Sequence, residues 1–266
     1  MPSIKPYAHV RVLREDGLLW VRICRPQASN ALSRLTLGEL GTAFAAHAEE
    51  PALKAAVLIG AGDKAFVAGG DLKDFSQIRS VDEAGALFDA ASTALDQVRR
   101  FPVPVVAALN GVAVGGGAEL ALACDFRVAV STASIGYVQA RLAITSGFGG
   151  GADLMQLLGP SRALRHMFLA QPLEAAQARA WGLVDEITGD GEPLEACVRR
   201  FLDPMLRHPP QVIRAYKALA IALREGASRD ELRRIEREGF IATWTHPDHW
   251  GAVERLLGRI EKESKS

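Results

Sequence analysis

Residues 110–129 read NGVAVGGGAELALACDFRVA. The apolar run Val103–Leu109 leads into this stretch and has the length of a buried strand. Asn110 and Gly111 open a turn, and Gly115–Gly117 run straight into a helix over Glu119–Cys124. A further apolar run, Phe126–Val130, follows at once. Strand, glycine-rich turn, helix and strand in this order indicate an α/β chain.

Working outward, the same alternation recurs. Residues 9–13 and 18–23 flank Glu15-Asp16-Gly17 and predict a hairpin. Leu32, Leu35, Leu40, Phe44 and Ala48 approximate helical spacing, with Ser29-Asn30 as the expected cap and Pro51 as the stop. Ala55–Ile59 is another buried-strand run, ending in GAGDKAFVAGGD. From about Leu194 the pattern changes to helices alone: Glu195–Leu206, Gln211–Arg224, Asp230–Thr243 and Pro247–Glu263. The expected organisation is a core over residues 1–198 that holds the site, followed by a helical assembly region over residues 199–266.

Composition limits what the chain can do. Its 266 residues carry 31 Lys+Arg against 31 Asp+Glu, and a formal charge of zero argues against nucleic-acid binding. With 48% hydrophobic and 23% charged residues it can bury a sizeable core. Cys24, Cys124 and Cys197 are odd in number and lack CxxC spacing, so neither a disulfide framework nor a zinc site is expected. His166, His208, His246 and His249 form no HxxxH pair or metal cluster, and Trp181, Trp244 and Trp250 read as core or interface anchors. MPSIKPYAHVRV shows no secretory h-region, and no uncharged run reaches the ~18–20 residues that span a bilayer, so a cytoplasmic protein without membrane contact is expected.

Of the 25 glycines, 15 lie between Gly60 and Gly159. Two clusters end apolar strands: Phe66-Val67-Ala68-Gly69-Gly70-Asp71-Leu72, where Asp71 is placed to cap a helix from Leu72, and the Gly115–Gly117 turn. Neither fits GxGxxG, GxxxxGK[ST] or GxSxG. Two such turns, each offering one backbone N–H to the same oxygen, would make an oxyanion hole, the second at a helix N-terminus.

Five ordered segments carry a family resemblance. RPQASNALS (Arg25–Ser33), KAFVAGGDLKDF (Lys64–Phe75), residues 110–129, SGFGGGADLMQLLGPSRAL (Ser146–Leu164) and ARAWGLVDEI (Ala178–Ile187) together resemble the crotonase superfamily, the enoyl-CoA hydratase/isomerase group. The resemblance implies a ββα spiral core with a C-terminal helical trimerisation region, assembled as a homotrimer or a dimer of trimers. It also implies an acyl-CoA thioester substrate of fatty-acid metabolism, with no separate cofactor. Ala68 and Gly116 would supply the oxyanion N–H groups. Arg25, Ala28, Phe66, Gly69, Gly70, Asp71, Leu72 and Gly115 would line the substrate path, with Arg25 as the first cation for coenzyme A or, alternatively, a solvated surface arginine.

Glu119 matches a catalytic glutamate of the family's hydratases; the plain alternative is a residue that complements the helix dipole. Counting back from Gly149-Gly150, the second hydratase glutamate falls on Gln139, and the usual proline is Ser146. An amide orients water or substrate but is no carboxylic acid or base. Arg141 is either a substrate-carboxylate partner or a surface residue. Three readings stay open: an enoyl-CoA hydratase-like lyase, a decarboxylase of a malonyl-type thioester, and an acyl-CoA binder without turnover. The segment around Tyr137–Leu142 also resembles the FVHxxMGI region of ethylmalonyl-CoA-decarboxylase-like members.

Overall fold

The computed structural model describes residues 7–263. Strands β1 (Val10–Glu15) and β2 (Leu18–Ile23) form the expected hairpin. Asp16 and Gly17 turn it with φ of 52° and 76°, the left-handed pair that a two-residue hairpin needs. β2 then pairs in parallel with β3 (Ala55–Gly60), β3 with β5 (Val105–Leu109), and β5 with β7 (Phe126–Ala129). β10 (Glu186–Ile187) completes this six-stranded sheet beside β7. Every residue of β3 and β5 is buried, which is why both read as unbroken apolar runs rather than alternating ones.

A second, smaller sheet consists of β4 (Ala65–Val67), β6 (Val112–Val114), β8 (Ser134–Gly136) and β9 (Leu173–Glu174). Its first three strands run parallel and β9 runs antiparallel. Each strand of the large sheet from β3 to β7 thus hands over to a short strand of the small one. The mixed α/β architecture with parallel sheets matches the expected fold class.

Helix α1 (Arg34–His47) starts later than its spacing suggested. Ser33 is the cap, its hydroxyl accepting from Thr36 N–H, whereas Ser29 and Asn30 adopt left-handed φ of 50° and 56°. Asn30 is buried and serves as a strut: Oδ1 accepts from Arg25 N–H (3.0 Å), while Nδ2 donates to the carbonyls of Ala61 (2.9 Å) and Ala65 (2.8 Å). The helix expected from Leu72 does not form. Asp71 accepts from the N–H groups of Lys73 and Asp74 as a cap would, but Asp74 is tied back to Arg34, and residues 72–77 only turn. The helix begins at Val81 instead: α2 (Val81–Arg99) has a capping box between Ser80 and Glu83.

Helix α3 (Gly116–Ala123) is buried along its whole length. The glycine-rich stretch after it gives α4 (Gly150–Leu158) and α5 (Pro160–Leu169), separated at Gly159. α6 (Ala175–Ala180) leads to β10. The division expected at 198/199 cuts α7 (Leu194–Leu206) in half. Cys197, Val198 and Leu202 of α7 pack with Leu18, Trp20, Val57 and Val106 on one face of the large sheet, so α7 belongs to the core. Residues 1–6 and 264–266 of the expected division lie outside the described residues.

Helix α8 (Pro210–Arg224) is pinned to the core by Lys217, whose Nζ reaches both carboxylate oxygens of Asp125 at 2.6 and 2.5 Å. Asp125 also accepts from Val105 N–H at the start of β5 (2.8 Å). α9 (Arg229–Trp244) packs on α8 where Gly239 faces Ala215, and buries no residue of its own. Together α9 and α10 (Pro247–Glu263) expose Phe240, Trp244, Trp250, Leu256, Leu257 and Ile260. Among the described residues, no helix is long and apolar enough to cross a membrane.

Lys217→Ala would leave the largely buried Asp125 charge with only the more distant Arg224 guanidinium, 4.0 Å away. The expected loss is about 3–5 kcal/mol of stability, measured by urea unfolding, with part of it recovered in Asp125→Asn/Lys217→Met.

Candidate active site

The carboxyl ends of β4, β6 and β8 lie side by side, and each opens into a turn that carries candidate residues. Gly69 (φ 103°) follows β4, Gly115 (φ 56°) follows β6, and Gln139 begins a short turn after β8. The first two turns touch: a Cβ on Gly115 would lie 3.7 Å from Gly69 Cα. Gly117 allows α3 to rest on the β4 backbone, since a Cβ there would come within 2.0 Å of the Val67 carbonyl oxygen.

Hydrogen bonding decides which N–H groups are available. Ala68 N–H donates to the Ser29 carbonyl (3.1 Å), so the assignment of Ala68 as a ligand donor is corrected. Two residues on, Leu32 N–H donates to Gly69 O and Asp71 N–H donates to Leu32 O, both at 2.9 Å. This parallel bridge flanks Gly70 and leaves Gly70 N–H without an acceptor among the described residues. Gly116 N–H is the first of α3 and has no intrahelical acceptor. Gly70 and Gly116 thus each present an N–H without an acceptor among the described residues, one from either turn. The ring of Phe148 lies against both: a Cβ would come within 2.3 Å of it from Gly116 and 3.5 Å from Gly70.

Glu119 occupies the first turn of α3 and is 1% exposed. Its carboxylate accepts four hydrogen bonds. Oε1 takes Gln139 Nε2 (2.8 Å) and Gly147 N–H (3.1 Å), while Oε2 takes the N–H groups of Phe148 and Gly150, both at 2.9 Å. All four partners are donors, which suits an acceptor-only group. Gly150 is required here, because a Cβ would lie 2.5 Å from Glu119 Cβ. Gln139 is itself buried, and its Oε1 has no hydrogen-bond partner. Behind the loop, the Tyr137 hydroxyl donates to Gly150 O (2.6 Å); burial, reinforced by the Glu119 charge, holds that phenol well above its ordinary pKa.

Gly69, Gly70, Leu72, Gly115, Gly116, Glu119 and Gln139 all line one cavity of about 490 Å³. Ala68 also borders it, through its side rather than its committed N–H. Five other candidates, Arg25, Ala28, Phe66, Asp71 and Arg141, fall elsewhere. Phe66 is fully buried in the core, and Ala28 lies in the 3-10 turn Pro26–Ala28. Arg25 is no solvated surface residue: its guanidinium meets Asp71 at 2.7 Å and donates to Ala31 O, and both side chains of the pair are 14% exposed. The hydrogen bond from Arg25 holds the Asp71 carboxyl below its usual pKa. Arg141 is exposed and does not line the cavity. Phe75, Leu87, Phe88, Ile144 and Phe148 complete walls that sequence reading missed. Apolar Leu142 and Ile144, three and five residues after Gln139, were the one available signal.

The family model described as enoyl-CoA hydratase/isomerase matches residues 14–255. The chain belongs to this family. It is 35% identical over 234 residues to a crotonyl-CoA hydratase of Syntrophomonas wolfei, covering 87% of both chains. It is 34% identical over 257 residues to the mitochondrial methylglutaconyl-CoA hydratase of Mus musculus, covering 95% of this chain and 81% of that relative. Among solved structures, Pseudomonas aeruginosa DspI superposes with a TM-score of 0.88 at 28% identity over 97% of both chains. A Bacillus anthracis enoyl-CoA hydratase gives 0.86 at 28% identity, covering 94% of this chain and 96% of that one. Among the described residues of this family member, no cluster of His, Cys, Asp or Glu could hold a metal.

Two predictions concern the frame of the site. Glu119→Gln offers one oxygen and one NH2 where four donors converge, so some are left unpaired. The expected cost is about 1–3 kcal/mol in urea unfolding, separate from any effect on turnover. His166 packs edge-on to Tyr137 and Trp181, with ring centroids 6.2 and 6.1 Å away, and burial lowers its pKa below 6.5. The unfolded chain therefore binds this proton more readily than the folded one. Stability from this group is complete above about pH 6.5 and falls as pH drops through the window below it. Unfolding curves at pH 5.5 and 7.5 should converge in His166→Phe relative to the parent protein.

Proposed function

We propose that the protein adds water across the 2,3 double bond of an enoyl-CoA thioester, with Glu119 as its single acid/base. The observation that carries this reading is the Glu119 carboxylate in the cavity lining beside the two unpaired N–H groups of Gly70 and Gly116. These donors would hold the thioester oxygen as it gains enolate charge, Gly116 with the added field of the α3 N-terminus. The unpartnered Oε1 of Gln139 would accept one hydrogen of the attacking water. The other hydrogen would reach Glu119 Oε1, replacing one of its two present donors, Gln139 Nε2 or Gly147 N–H.

As water oxygen bonds to Cβ, its proton passes to Glu119 and the double-bond electrons move to the thioester oxygen. Glu119 then returns the proton to Cα, so one carboxylate completes the addition. Coenzyme A arrives as part of the substrate, and no further cofactor is needed. Arg25, Ala28 and Asp71 shape the loop at the adenine end in this reading, and Phe66 supports it from the core. The exposed apolar faces of α9 and α10 support assembly into a homotrimer or a dimer of trimers.

Incubation with crotonyl-CoA, and separately with methylmalonyl-CoA, followed by mass analysis of products, tests the reaction. Hydration of crotonyl-CoA is expected, with kcat reduced about 10²–10⁴-fold in Glu119→Gln. Gln139→Glu should raise kcat and add a pH-dependent limb, because two carboxylates would then share one buried site. Decarboxylation of methylmalonyl-CoA without hydration would overturn the proposal.

A further inference from the structure

Beyond the reacting end, the cavity is walled by apolar side chains from two directions. Phe75, Leu87 and Phe88 come from the 72–77 turns and the first half of α2, while Leu142 and Ile144 come from the turn after Gln139. Leu142 and Ile144 are more than half exposed and Phe88 nearly so. Single exposed apolar residues are ordinary, but these converge on the rim of one cavity. Among all the residues lining it there is no Lys, Arg or His, and the one ionisable group is the Glu119 carboxyl. Of the two candidate cations, Arg25 is closed onto Asp71, and Arg141, in the turn between Gln139 and Leu142, is exposed and does not line the cavity.

From this lining of described residues we infer that the acyl site selects neutral hydrocarbon chains longer than four carbons and rejects chains that end in a carboxylate. The inference rests on the proposed reading of this cavity as the acyl-CoA site. At the ~30 Å³ that liquid water takes per heavy atom, about 490 Å³ holds roughly sixteen heavy atoms. A crotonyl thioester, counted from sulfur to methyl, needs six. The space left over is apolar, and each methylene buried there tightens binding roughly fourfold. A terminal carboxylate would lose its water, find no cation and face the like charge of Glu119.

Saturated thioesters test this without turnover. Calorimetric titration of the full chain with butyryl-, octanoyl- and glutaryl-CoA should give octanoyl at least tenfold tighter than butyryl, and glutaryl at least tenfold weaker. Leu87→Lys, on a half-buried helical position, should tighten glutaryl-CoA about tenfold and weaken octanoyl-CoA. Equal affinity for butyryl and octanoyl, or glutaryl binding as tightly as butyryl, overturns the inference. If the binding order holds while no enoyl-CoA is hydrated, the assigned reaction fails and the chain selectivity stands. If none of the three binds, both fail.

Discussion

A carboxylate with almost no solvent contact organises this molecule. Glu119 would be costly to bury alone, and four N–H groups from three segments satisfy it. Two of these donors, Gly147 and Phe148, belong to the loop that carries the aromatic wall, and a third, Gly150, begins α4. The placement of Phe148 over Gly70 and Gly116 is thereby a consequence of satisfying Glu119. The same charge that would exchange protons with substrate also positions the surface on which substrate rests. Stability and reactivity at this residue are therefore inseparable by simple truncation.

Much of this was legible in the residues. Unbroken apolar runs identified β3 and β5 because parallel strands covered on both faces have no polar side to show. The triple glycine before Glu119 marked the helix start, and counting from Gly149-Gly150 found Gln139 across the cavity. What could not be read is which N–H groups remain free. Ala68 and Gly70 differ only through hydrogen bonds made by Ser29 and Leu32, some forty residues earlier in the chain. Arg25 misled for a related reason: its partner Asp71 lies 46 residues away, and only the folded loop joins them. The hydrophobic walls depend on where α2 lies, which local spacing does not encode.

The two sheets divide the work. The larger one is a scaffold, closed on one face by α7 and on the other by the main core. The smaller one has strands of two or three residues, yet the turns at its parallel ends bring Gly70, Gly116, Glu119 and Gln139 to one cavity. Short strands suffice for β4, β6 and β8 because each is anchored by the longer strand that precedes it. A balanced total charge fits a cavity whose described lining residues carry a single ionisable side chain, Glu119.

The parallel arrangement of β4, β6 and β8 has a kinetic side. No two of these strands can pair through a hairpin; each pairing closes a loop of at least twenty residues, through a helix or a full crossover. Helices and the β1–β2 hairpin need only local closure, which is faster. The cavity therefore depends on non-local closure, which brings Glu119 to donors that lie up to 31 residues further along the chain. No single helix or hairpin can assemble the cavity alone; it exists only once distant segments have been joined.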